Sequence, residues 1–342
     1  MSTTIWPPAP PSSLLSEQSA ALSRELTWLL HTLHSQLPSL KATLESCHTL
    51  LSSDAPSTLA LSSQRSEALK GFVVRAGARV VKGDVQLRLP SLPPPRGQNG
   101  YKLTLSGLPT APALVLGQLG RGRECVGAAL DVVDATAWTG DAGDAGFIDG
   151  QLRLLYYNIR EAEKALKGGE EAWNEEVVDE KVFSSSKKGC AGELLRILYA
   201  SKNNMYNRQI FDPPLPQNIS FHLSIAEAAL VLHIRTLEPV QVTGTSTPSS
   251  FATTSSFSGF GLRDRLAVAL GGTRTPLHDE ANDVFAWRGQ DVRVREKVRV
   301  ESQDPSLMAA MAKLRALGHS VARWRRALDV VLGKEEEDSD EG

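Results

Sequence analysis

The chain has 342 residues, 41% of them hydrophobic, with 37 basic and 39 acidic side chains and a net charge of -2. This is enough apolar material for a sizeable core in one large domain or two smaller ones. The near balance of charge argues against a binder of nucleic acid or of acidic membrane, since both carry a basic excess.

In chain order, the opening MSTTIWPPAPP has neither a basic nor an apolar leader region, so no signal peptide is expected. From Leu26, the residues Leu30, Leu33, Leu37, Leu40, Leu44, Cys47 and Leu51 follow at alternating steps of four and three, an unbroken heptad stripe. Pro38 lies inside this stripe, removes a backbone donor and should kink the helix or split it in two. His31 and His34 lie three apart, but no carboxylate or cysteine falls where it would complete a metal site. They are expected at the helix surface or its boundary.

The period then changes to two. Val81, Gly83, Val85, Leu87 and Leu89 alternate with Lys82, Asp84, Gln86 and Arg88, after an apolar run from Phe72 to Ala76. Tyr101, Leu103 and Leu105 alternate in the same way, so half-buried antiparallel strands are predicted. Pro90 to Pro95 reads as a stiff surface loop, with a proline-recognition ligand as its functional alternative.

Two more heptad stripes follow. The first is Leu116, Leu119, Arg123, Val126, Leu130, Val133 and Ala137. The second is Ile148, Leu152, Leu155, Ile159, Ala162 and Leu166, with Asp144 or Asp149 near its start and Gly168-Gly169 after its end. A second strand block contains Ile219, Phe221, Leu223 and Ile225, a turn near Glu227, then Leu230, Leu232 and Ile234. A hairpin of 284–287 with 292–300 follows. His222 and His233 occupy polar-facing positions and are expected to be exposed, and Asn218-Ile219-Ser220 is read as strand. The last stripe is Leu307, Ala310, Leu314, Leu317, Val321, Trp324, Leu328 and Val331, entered through Asp304-Pro305 as cap and first-turn pair.

A search for chemistry returns little. Cys47, Cys125 and Cys190 are odd in number and far apart, so they spell neither a disulfide framework nor a zinc site, and they fit a reducing compartment. Gly140 to Gly146 suggests a calcium loop, but counted from Asp141 its third, fifth and twelfth positions are Gly143, Ala145 and Leu152, which lack ligand oxygens. Gly271-Gly272 belongs to no phosphate-cradling motif, and there is no GxSxG elbow or CxxC pair. No stretch reaches the ~18 apolar residues of a spanning helix. No catalytic residue, cofactor or metal is assigned. The candidate surface is Arg293, Arg295, Lys297 and Arg299, which a strict alternation puts on one face of the hairpin strand; a solvated polar face is the ordinary reading of such a set, and a surface for an anion or a phospholipid is the functional one. Arg323, Arg325 and Arg326 add charge on the last helix.

The predicted fold is α+β: an antiparallel four-helix bundle lobe plus an antiparallel β-sheet lobe, the chain threading between them. Residues 13–53, 110–167 and 303–333 form the helical lobe. Residues 69–106 and 210–300 form the β lobe, as one shared sheet. Residues 168–188 and 243–282 are flexible insertions, and 334–342 is an acidic tail. Helices apolar on one face are expected to close on one another within the chain, with a zipper between two chains as the alternative.

Four stretches resemble the Rogdi family, proteins called leucine-zipper proteins from sequence. They are Glu25 to His31; Leu69-Lys70-Gly71-Phe72 through Gly83 to Pro90; Ile210-Phe211-Asp212-Pro213-Pro214-Leu215-Pro216 running on to Leu237-Glu238-Pro239; and Val284-Phe285-Ala286-Trp287 with its hairpin. Their order and spacing carry the resemblance. It implies a helical lobe and a β lobe, no catalytic residues, and a part in the RAVE complex, which promotes reassembly of the vacuolar and endosomal proton ATPase. The implied partners are a large β-propeller scaffold, the small adaptor Skp and the peripheral sector of the ATPase. The chain would be a monomer within that hetero-complex, cytoplasmic and recruited peripherally to membranes. The proline-rich start and residues 168–188 and 243–282 depart from the animal pattern of the family.

Overall fold

The structure is a computed structural model that describes residues 10–64, 68–106, 114–135, 144–169, 210–240 and 278–334. Residues 170–188 and 243–277 of the expected insertions, all but the first residue of the acidic tail and most of the Gly140–Gly146 segment lie outside them, as do Ala137, Cys190 and Gly271-Gly272. The described end of the second expected insertion, 278–282, is not a free loop, since Asp279 and Glu280 there pair with Lys297 of the second sheet.

The described residues form an α+β fold with four helices: α1 (Pro11–Ser52), α2 (Gly117–Ala135), α3 (Ala145–Lys167) and α4 (Pro305–Val331). The leucines of the first heptad stripe from Leu30 to Leu51 are buried within this one chain, and so is Cys47. α1 packs on α2 and α4, and α3 packs on the same two helices. α1 runs through Pro38 without a break. The proline ring withdraws one donor, but Pro38 and His34, whose carbonyl loses that donor, both lie on the exposed side of the helix. Carried back from Leu26, the same register falls on Ser23, Ser19, Ser16 and Ser12. The stripe thus loses its apolar side chains, and from Ser13 to Trp28 nearly every residue of α1 is exposed.

The seam of α2 differs from the heptad reading. Arg123 is exposed and Leu130 half-buried, whereas Gly122 and Ala129 are buried. A side-chain carbon added at Gly122 would sit 3.6 Å from Cβ of Ala165, an ordinary contact distance, so Gly122 faces α3 within the seam. Asp144, rather than Asp149, caps α3: its Oδ1 accepts from the N–H groups of Gly146 and Phe147 at 2.9 and 3.1 Å.

The strands form two antiparallel sheets in place of the one expected. The first contains β1 (Ser57–Ser62), β2 (Leu69–Ala76), β3 (Arg79–Leu87), β4 (Tyr101–Leu105) and β6 (Phe211–Asp212) in that order, with β5 (Leu114–Val115) also paired to β3. The second has the order β7 (Ile219–Ala226), β8 (Ala229–Pro239), β10 (Gln290–Gln303), β9 (Val284–Trp287). The two blocks pair mainly within themselves. Among the described residues, the two-residue β6 is the one segment of the later block that joins the first sheet, at Thr104–Asp212 and Leu105–Phe211. One cluster of buried apolar side chains runs through all four helices and both sheets.

Two polar joints lock these parts together. Arg75 on β2 donates from Nε to Asp304 Oδ2 at 2.7 Å and from Nη1 to the carbonyl of Gly77 at 2.7 Å. Asp304 uses its other oxygen to cap α4 at the N–H of Ser306, so one carboxylate ties sheet to helix. At the second joint, Glu227 and Ala228 form the β7–β8 turn with φ of 47° and 59°. Their N–H groups donate to the carbonyls of Lys167 and Leu166, so the hairpin tip satisfies the open end of α3. Gln118 on α2 brackets Ile225 beside it, bonding both its N–H and its carbonyl.

Candidate interaction surface

The hairpin of β9 and β10 turns at Arg288 and Gly289, whose φ values of 53° and 73° suit a two-residue turn of the primed type. β10 is 14 residues long and pairs with β8 from Val292 to Gln303, with a register shift between Val294 and Glu296. Arg295 is the extra residue of that bulge. Before it, Arg293 pairs with Glu238; after it, Lys297 pairs with Arg235 and Arg299 with His233. Side chains alternate along regular β8, so Glu238 and Arg235 point to opposite faces. Arg293 is therefore on the opposite face from Lys297 and Arg299, and the single basic face expected from strict alternation does not form.

The four cations also differ in their partners. Lys297 is only 13% exposed; its Nζ lies 2.8 Å from Asp279 and 2.8 Å from Glu280. Glu280 also receives a two-pronged bond from Arg235, Nε at 2.6 Å and Nη2 at 2.7 Å. Burial would raise the Glu280 carboxyl, but the bonds from Arg235 and Lys297 outweigh it and hold it below the usual range. Arg299 pairs with Glu301 at 3.1 Å. Arg293 and Arg295 are exposed, and they are the members of the set that face solvent without an ion pair among the described residues.

Sequence reasoning missed Asp279 and Glu280, which fell in the segment read as an insertion. The available signal was an acidic pair a few residues ahead of a basic strand. It also misplaced His222 and His233. They sit directly opposite each other on β7 and β8, half-buried, with ring centroids 6.5 Å apart. Burial pushes both imidazoles down to about 4, and Arg235 reinforces the effect on each. β8 is buried along almost its whole length, so its polar-facing side does not look onto open water.

No group of three or more His, Cys, Asp or Glu among the described residues is placed to hold a metal ion. No helix among them is long and apolar enough to cross a membrane. Burial pushes the Cys47 thiol up to about 11, as for a core thiol rather than a nucleophile.

A family model described as Rogdi leucine zipper containing protein matches residues 25–329, nearly the whole chain. This chain belongs to the Rogdi leucine zipper family. The match begins at Glu25, where α1 meets the body of the fold, and ends at Asp329 near the close of α4. A comparison with curated proteins finds no match. In this Rogdi chain the residues that read as a zipper, Leu30 to Leu51, are core side chains.

Proposed function

We propose that this Rogdi chain is a non-catalytic adaptor subunit of the RAVE complex and promotes assembly of the vacuolar and endosomal proton ATPase. Membership of the Rogdi family over residues 25–329 carries the reading. Its partners are a large β-propeller scaffold, the Skp adaptor and the peripheral sector of the ATPase. It acts from the cytoplasm as a monomer within the hetero-complex, recruited peripherally to vacuolar and endosomal membranes. The helical part is an antiparallel four-helix bundle with the sheets threaded through it. An adaptor works through its surfaces, and exposed Arg293 and Arg295 offer the accessible cationic part of the hairpin. The alternative, a zipper that pairs two chains, is disfavoured because the leucines it would need are already buried.

Affinity purification of the tagged chain from cells, with identification of the co-purifying proteins, tests this. The expected result is a β-propeller scaffold and ATPase peripheral subunits in stoichiometric yield. Recovery of the chain alone or only with itself would overturn the assignment.

A further inference from the structure

The loop that follows β3 carries Pro93-Pro94-Pro95-Arg96, and all four residues are exposed. Each proline fixes its own φ and presses the residue before it into an extended conformation, so Leu92 to Pro94 are held near a polyproline II path before any partner arrives. Both ends of the segment are tethered. On one side Leu92 is buried and its N–H bonds the Leu89 carbonyl at 2.9 Å. Ser91 bonds Thr236 at 2.9 Å and Glu296 through both its N–H and its hydroxyl, which ties the loop to the second sheet. On the other side the Gln98 N–H donates to the Pro95 carbonyl at 3.1 Å, closing a turn with Gly97 at φ 84°. Arg96 takes the second position of that turn and is exposed, next in sequence to the prolines.

We infer that Pro93 to Arg96 is a docking site for a polyproline-recognition module of the WW type, one that pairs an aromatic-lined groove with an acidic side chain to meet Arg96. Such grooves bind extended proline segments whose conformational entropy is already low, and they read flanking charge for orientation. The anchored ends lower the ordering cost on binding further. The inference is independent of the adaptor reading.

The test titrates the full chain into a fluorescently labelled WW domain that binds Pro-Pro-Arg peptides. Wild type should bind saturably. Pro93→Ala combined with Pro94→Ala, and separately Arg96→Glu, should each raise Kd by about tenfold or more. The melting temperature should stay unchanged, because these side chains are exposed. No saturable binding by the wild type would overturn the proposal. So would undiminished binding by both variants, which would move the contact to another proline stretch such as Pro7 to Pro11.

Discussion

The tightest residue-scale constraint is the pair of Arg75 and Asp304, 3% and 0% exposed. Breaking a buried pair from one side leaves a stranded charge and typically costs about 3–5 kcal/mol. Asp304→Ala also removes the cap of α4, so it is expected at or above the upper end, measured by chemical denaturation. A loss below about 1 kcal/mol, the size of a surface pair, would contradict the pairing. His222 and His233 make a second prediction. In the folded chain both rings stay neutral down to about pH 4, whereas in the unfolded chain they take up protons near the ordinary value of about 6.5. The unfolded state thus binds more protons between those values, and stability falls as pH drops from 6.5 towards 4. The upper bound is roughly 3 kcal/mol per ring. His222→Gln with His233→Gln should flatten melting temperature against pH between 6.5 and 4.5; an unaltered slope would mean that the rings are solvated. Alternation showed that these histidines share a face but not that the face is covered, since coverage depends on chain distant in sequence.

At the scale of elements, both errors of strand phase come from bulges. Where β2 pairs with β3 the register shifts between Val74 and Arg75, so Val81 of β3 has no partner in that pairing and is 57% exposed, while Val80 is buried. In β10 the extra residue is Arg295. A bulge inserts one residue and reverses the alternation beyond it, and nothing in a run such as Arg-Val-Val-Lys marks the insertion point. Strand existence was legible because most apolar positions still recur at two; β1, β5 and β6 were missed because they are short or weakly apolar. Heptads read better: the stripes of α3 and α4 match their buried residues closely. The α2 seam went astray because its buried line runs through the small residues Gly122 and Ala129, which a stripe of large apolar side chains passes over. The bulge divides the four cations, and their variants should divide with it. Arg293→Glu with Arg295→Glu should change stability by no more than about 0.5 kcal/mol, as exposed substitutions usually do. Lys297→Glu sets a third carboxylate against Asp279 and Glu280 and should cost roughly 2–3 kcal/mol. Equal melting temperatures for the two variants would contradict this division.

For the whole molecule, burial of the heptads inside one chain makes the leucine-zipper label a description of the core. Leu33→Asp or Val321→Asp puts an unpaired charge where both side chains are essentially inaccessible. Either should unfold the protein, since deleting a buried leucine alone costs about 2–5 kcal/mol. Sedimentation velocity with circular dichroism checks it: the expected result is a folded wild-type monomer and unfolded variants, and a folded wild-type dimer giving folded mutant monomers would reject it. The central claim is functional, and the most direct measurement is the amount of ATPase peripheral sector that sediments with vacuolar membranes after starvation and glucose return in cells lacking this chain. The adaptor account predicts a clear deficit with poorly acidified vacuoles, both restored by the wild-type chain. Normal reassembly and normal acidification in those cells would contradict it.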